Sequence, residues 1–244
     1  MYRIGGRAHA HGITFESDIG RVFAADDGKD SFKPFSERSR RIKAALRKVP
    51  VLRVFPAFGT TGTVIFFLIV ALVVVETFAP WLLNFELYIR DDVFYMLLAA
   101  GAVAALLAAV ILRGRLRRTL QYHGAEHMAL NTYRTGKPLT TENIAKADRA
   151  NPNCGSLFAL VFIIVGVPLM FVPYSDYFLP VTLGVAFELT VLARQAKWLR
   201  WLLRFGLWSQ RKIWTRTPDD AQIEVARRGL VTLVEITGRE TRKV

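Results

Sequence analysis

The sequence has a single cysteine, Cys154, and that excludes an internal disulfide. Histidine is almost as scarce, with four among 244 residues. Acidic residues are a minority, 20 against 33 lysines and arginines, so the formal net charge is +13. There is no internal repeat and no low-complexity tract. No early apolar run precedes a small-residue cleavage site, so a cleavable signal peptide is not expected. In a soluble chain this basicity would point to nucleic acid. Here the hydrophobic residues, 52% of the chain, gather into long charge-poor runs with basic flanks. Anionic lipid headgroups explain such flanks more simply, and no nucleic-acid partner is expected.

Four apolar runs stand out: 57–79, 93–112, 156–172 and 178–193. A membrane span needs about 20 residues to cross a core roughly 30 Å thick. The first two meet this and the last two fall just short. Lys and Arg number 12 in residues 1–56, 8 in 113–155 and 12 from Arg194 onward, against Arg90 alone between the first two runs. By the positive-inside rule both termini and the 113–155 loop are cytoplasmic. The expected fold class is therefore an all-α membrane protein with about four transmembrane helices. Its expected parts are a cytoplasmic N-terminal segment (1–55), a transmembrane hairpin (56–112), a cytoplasmic loop (113–155), a second transmembrane hairpin (156–193), and interfacial and cytoplasmic C-terminal helices (194–244). Within the first part, Ile13-Thr14-Phe15 and Arg21 to Ala25 are candidate short strands, with a turn at Asp26-Asp27-Gly28. Ser36 to Lys48 reads as a basic interfacial helix. Trp198 to Phe205 mixes aromatics with arginines and reads as another. Thr217 is the expected N-cap of the last helix.

The chemistry centres on Tyr122-His123-Gly124-Ala125-Glu126-His127. In a helix, His123 and His127 share one face and Glu126 sits beside it. Two imidazoles so spaced can hold a divalent metal, with the carboxylate as general base. The other two histidines, His9 and His11, form an H-x-H pair that in one extended strand points both rings to the same side. Glu188 lies inside the fourth apolar run, where a carboxylate needs a partner. Glu142 opens a helix at Thr140-Thr141-Glu142-Asn143. Cys154, in the turn Asn151-Pro152-Asn153-Cys154-Gly155, is either a thiolate ligand or a small apolar residue at the membrane edge.

The 122–127 motif, then Leu139-Thr140-Thr141-Glu142-Asn143 and Cys154-Gly155, resemble in order the YqhQ-like bacterial membrane protein family. Gly5-Gly6 with Ala8 and Gly12, and Thr215 to Asp220 followed by Gln222 to Ala226, are similar to its terminal motifs. The resemblance covers most of the chain from about Leu120 onward, plus the first dozen residues. It implies a bacterial inner-membrane, multi-pass protein of unknown function, classed with predicted metal-dependent enzymes. The chain departs from the family pattern at His9, His11, Asn151 and Val191.

Two functions follow as expectations. One is a metal-dependent hydrolase at the cytoplasmic membrane face, acting on a membrane-associated peptide or lipid. There His123 and His127 bind zinc, Glu126 is the base, and Glu188, His11, His9 or Glu142 completes the ligand shell. The other is a non-catalytic scaffold or an ion- or proton-coupled transport component, in which the His/Glu cluster is structural.

Overall fold

The structure, a computed structural model, describes residues 2, 4–48, 91–169 and 178–241. Four strands come first: β1 (Gly5–His9), β2 (Gly12–Glu16), β3 (Gly20–Ala25) and β4 (Ser31–Pro34). They form an antiparallel meander in the order β1-β2-β3-β4. Its register sets Ile13 against Ala24 and Phe15 against Val22, so four apolar side chains share one face. All four are fully buried.

The helices are α1 (Glu37–Lys48), α2 (Asp91–Ile111), α3 (Arg113–Arg134), α4 (Thr141–Ala145), α5 (Gly155–Leu169), α6 (Phe178–Gln195), α7 (Arg200–Ser209) and α8 (Asp220–Thr241). A 3₁₀ turn at Lys197–Leu199 precedes α7, and a π turn at Gln210–Trp214 follows it. The apolar sheet face is covered by α3, through Tyr122, Ala125 and Ala129, and by α8, through Ile223, Ala226, Leu230 and Leu233. A second, smaller core joins α5, α6 and α7 through Leu157, Val161, Ala186, Ala193 and Leu202.

The expectation of an all-α membrane protein with four spans is corrected on two counts. The N-terminal segment contains a four-stranded sheet that forms one side of the main core. Among the described residues no single helix is long and apolar enough to cross a membrane; Ala99–Ala108 and Arg113–Arg134 pass together only across a 73° bend. The run 57–79 lies outside the described residues. The two candidate strands are present as β2 and β3, followed by the Asp26-Asp27-Gly28 turn, where Gly28 has φ +79°. β1 showed no apolar alternation because its core-facing positions, Gly6 and Ala8, are small. A Cβ on Gly6 would stand 2.6 Å from the Glu126 side chain, so glycine there lets α3 approach the sheet.

The start of the last helix also differs from expectation. Asp219, not Thr217, caps it: Gln222 N–H donates to Asp219 Oδ1 (2.8 Å) and Asp219 N–H to Gln222 Oε1 (3.0 Å). This reciprocal pair satisfies two backbone donors that a lone hydroxyl would leave unshared. Thr140 does begin α4, its hydroxyl accepting from Asn143 N–H at 3.2 Å. Removing Phe15, buried between the sheet and Gly229 of α8, opens the main core. Phe15→Ala is expected to cost about 3–5 kcal/mol, read as a shift in the denaturation midpoint.

Candidate metal centre

The second half of α3 is buried from Gly124 to Leu130, which places the H-x-x-E-H segment at the middle of the molecule. His123 and His127 lie one turn apart, ring centroids 4.3 Å from each other and planes at 64°, edge to face. Each ring is tied by one nitrogen to a backbone carbonyl. His123 Nδ1 is 2.8 Å from the carbonyl of Trp214, and His127 Nδ1 is 2.6 Å from that of Arg149. A carbonyl only accepts, so in both rings Nδ1 carries the proton and Nε2 keeps a free lone pair.

Cys154 completes the group. Its sulfur lies 3.3 Å from His123 Nε2. One donor atom from each of His123, His127 and Cys154 falls within 4.8 Å of the others. Ligand atoms about 2.0–2.3 Å from a tetrahedral ion stand roughly 3.3–3.6 Å apart, so the thiol–imidazole separation suits one. Cys154 directly precedes α5, and both the backbone N–H (3.5 Å) and the hydroxyl (3.3 Å) of Ser156 donate to its sulfur. Burial pushes the Cys154 thiol up, but the His127 imidazole beside it and the two Ser156 bonds outweigh burial and hold the thiol below its ordinary range.

The supporting shell is built from loops fastened to α3. Asn131, four residues past His127, donates to the carbonyls of Asp148 (2.8 Å) and Ala150 (2.9 Å). Arg134 donates to Asn151 Oδ1 at 2.6 Å. These bonds fix the loop whose Arg149 carbonyl holds His127. Buried Gln210 exchanges two bonds with the Asn151 backbone, accepting at 2.7 Å and donating at 3.1 Å. Gln210 opens the π turn that ends at Trp214, so one clamp positions both the cysteine turn and the carbonyl on His123. Past the turn, Arg216 N–H donates to the Leu120 carbonyl at 2.9 Å. Gly124 permits this approach, since a Cβ there would meet the Arg216 carbonyl oxygen inside any allowed contact.

Glu126 is buried on the side of α3 that faces β1, against Gly6. Burial raises its pKa to about 7, although the charges of His123, Arg134 and Arg7 pull it down. The unfolded carboxyl, near 4.5, releases its proton first. Stability of the metal-free chain is therefore full below about pH 4.5 and falls as pH rises through 7, by about 3 kcal/mol in total. Glu126→Gln is expected to erase that fall. The check is a comparison of urea midpoints at pH 5 and pH 8 for the two metal-free chains; parallel pH dependence would refute it.

The remaining expected site residues lie elsewhere. His9, at the end of β1, is on the sheet face opposite the core, 2.9 Å from Thr14 Oγ1 and edge-on to Phe23. His11 sits in the β1–β2 turn, exposed, 3.4 Å from Asp26 Oδ2. The H-x-H pair thus spans a turn, and the two-residue strand period does not apply to it. Glu188 is on an exposed position of α6, and Glu142 pairs with Lys146 at 2.5 Å on the surface. None of these four belongs to the His123–His127–Cys154 group. The residue that sequence reasoning left open is Cys154. Its signals were its place in the Asn151–Gly155 turn and in the Cys154-Gly155 motif of the family resemblance, neither of which distinguishes a ligand from a small apolar residue.

The family model described as a protein of unknown function, DUF1385, matches residues 47–236. The chain belongs to the DUF1385 family. The uncharacterized protein YqhQ of Bacillus subtilis (strain 168) is 40% identical over 124 residues, 46% of this chain. The match covers 39% of the YqhQ sequence, well under half of that relative. No solved structure matches. Nearly all of the putting-together of the centre in this DUF1385 chain, from His123 to Trp214, falls within the matched residues.

Proposed function

We propose that this DUF1385 chain is a metal-dependent hydrolase whose ion, zinc by the chemistry of the donor set, is held by His123, His127 and Cys154. The observation that carries this reading is the pair of Nδ1-to-carbonyl bonds, which aim both Nε2 lone pairs away from the backbone and toward one thiol. Such carbonyl-anchored imidazoles are the usual support of metal-binding histidines. Three protein donors leave a position for a reactant, the pattern of catalytic rather than structural zinc. Zinc there would supply a Lewis acid.

The chain's own residues supply the rest. The carbonyls of Trp214 and Arg149 keep the rings from rotating. The Ser156 donors favour the ionised form of the thiol. Glu126, beside His123 and with a pKa near 7, is the group able to take up a proton at its carboxylate and return it to a leaving group. A thiol–imidazole nucleophile would use the same Cys154–His123 contact. The second anchored imidazole, His127, favours the metal reading.

The setting we propose is a lipid surface. On α7, Leu202, Gly206 and Ser209 pack inward, while Trp201, Phe205 and Trp208 stay exposed with Trp198 before them. Residues 189–218 contain seven Lys and Arg and no acid. Exposed aromatics among cations suit the headgroup region of an anionic bilayer. The deciding experiment loads the chain with zinc and assays ester, phosphodiester and peptide substrates. Glu126→Gln should keep the metal and lower turnover about 10²–10⁴-fold. Turnover that survives both Glu126→Gln and chelation would sink the hydrolase reading.

A further inference from the structure

Where α2 meets α3 the axis turns by 73°, and a groove of about 490 Å³ opens beside the bend. Three guanidinium side chains line it: Arg113 and Arg117, one turn apart on α3, and Arg216 from the segment after the π turn. All three are exposed, and among the described residues none forms a salt bridge. Arg118, next to them in sequence, is by contrast paired with Asp26 at 2.8 Å. Three uncompensated guanidiniums converging on one concavity are a site for an anion, and planar bidentate donors suit phosphate oxygens best.

The groove is not purely polar. Leu116 and Leu120, on the same face of α3 as Arg113 and Arg117, line it as well. Leu116 is half exposed, and it continues a run of exposed apolar side chains along α2 that includes Leu106, Val110, Ile111 and Leu112. An apolar track that ends in a ring of arginines matches a molecule with a hydrocarbon tail and a phosphate. We propose that this groove binds the phosphate of an anionic phospholipid, with an acyl chain against the exposed face of α2. The backbone then relates it to the metal centre. Leu120 precedes His123 by one helical turn, and Arg216 follows Trp214 by two residues, joined by the 2.9 Å Arg216–Leu120 bond. A headgroup in the groove therefore lies along α3 from the His123 imidazole. The lipid site stands by itself; that its occupant is the substrate of the centre rests on the hydrolase reading.

The test uses the full chain in neutral detergent, with retained lipid counted by native mass spectrometry. Dioleoyl phosphatidylglycerol should be kept at about one molecule per chain, at least about tenfold more tightly than dioleoyl phosphatidylcholine. Replacing all three arginines (R113Q, R117Q and R216Q together) should weaken retention about tenfold or more, while the lysine counterparts stay within about threefold. These positions are exposed, and unchanged circular dichroism and zinc content would confirm an intact fold. His123→Ala should leave lipid retention unchanged, which separates this site from the metal reading. Equal retention of the two lipids, or wild-type retention by the triple Gln variant, would overturn the proposal. Displacement of the lipid by inorganic phosphate at comparable concentration would overturn the lipid assignment in favour of a soluble phosphate ester.

Discussion

On the proposed zinc reading, the chain purified without chelators is expected to hold about one zinc ion, and His123→Ala is expected to lose it. Changes to the groups that hydrogen-bond metal ligands typically cost about 10–100-fold in affinity, so loss of a ligand itself should cost at least about a hundredfold. The reason is local. His123 contributes the Nε2 nearest the Cys154 sulfur, at 3.3 Å, and its ring is fixed by the Trp214 carbonyl. With alanine there, two donors remain, and the Cys154 thiolate loses its closest imidazole. His127→Ala and Cys154→Ser should behave alike, because each removes one of three donors. His9→Ala and Glu188→Ala should leave zinc content unchanged, since neither side chain belongs to the donor group. Elemental analysis and competition with a chromogenic chelator read all five. A metal-free wild-type chain, or zinc retained by His123→Ala, would dismiss the centre.

Gly124→Ala carries the second large effect, and here two terms oppose each other. Alanine is favoured over glycine inside a helix by about 1 kcal/mol. Against this, the new Cβ would overlap the Arg216 carbonyl oxygen. That backbone cannot retreat easily: Arg216 N–H is bonded to Leu120, and both the N–H and the hydroxyl of Thr215 donate to the Gln210 carbonyl at 2.8 Å. Overpacking of this kind costs about 1–3 kcal/mol and should exceed the helix gain. The displaced strand also carries the Trp214 carbonyl, so zinc affinity should drop about 10–100-fold with all ligands intact. Paired urea midpoints and zinc titrations of the variant measure both losses. A variant more stable than wild type, with unchanged zinc affinity, would show that the 214–216 segment is free to move.

The helices were legible where their signals are local. Glu37–Lys48, the H-x-x-E-H segment and the described parts of the last two apolar runs are helical, because spacing and capping act within a few residues. The membrane-spanning architecture was not a sound reading of the same runs. Composition registers that apolar residues are present and not what they pack against. In α5 and α6 part of that surface is covered by the opposite helix and by α7, as at Leu157, Val161, Ala186 and Ala193. The sheet was half legible. Ile13, Phe15, Val22 and Ala24 alternate, but β1 is read only from its pairing, since glycine at position 6 carries no pattern and exists to admit Glu126.

The sequence by itself determined two of the three candidate metal donors, because i and i+4 on a helix are neighbours whatever the rest of the chain does. It placed Glu126 beside them and showed the basic, aromatic character of residues 198–213, while the burial of Glu126 came only with the sheet packed on α3. Tertiary structure alone decided the third donor. Cys154 comes 27 residues after His127, and the Gln210–Asn151 clamp, the Arg134–Asn151 bond and the Asn131 bonds to Asp148 and Ala150 bring its turn against α3. Tertiary structure likewise decided against His9, His11 and Glu188 as members of that group, by placing them on the far sheet face, in a hairpin turn and on an exposed helix position. Ligand type is a property of a residue, but convergence is a property of the packing between segments distant in the chain, and no spacing rule reaches that far.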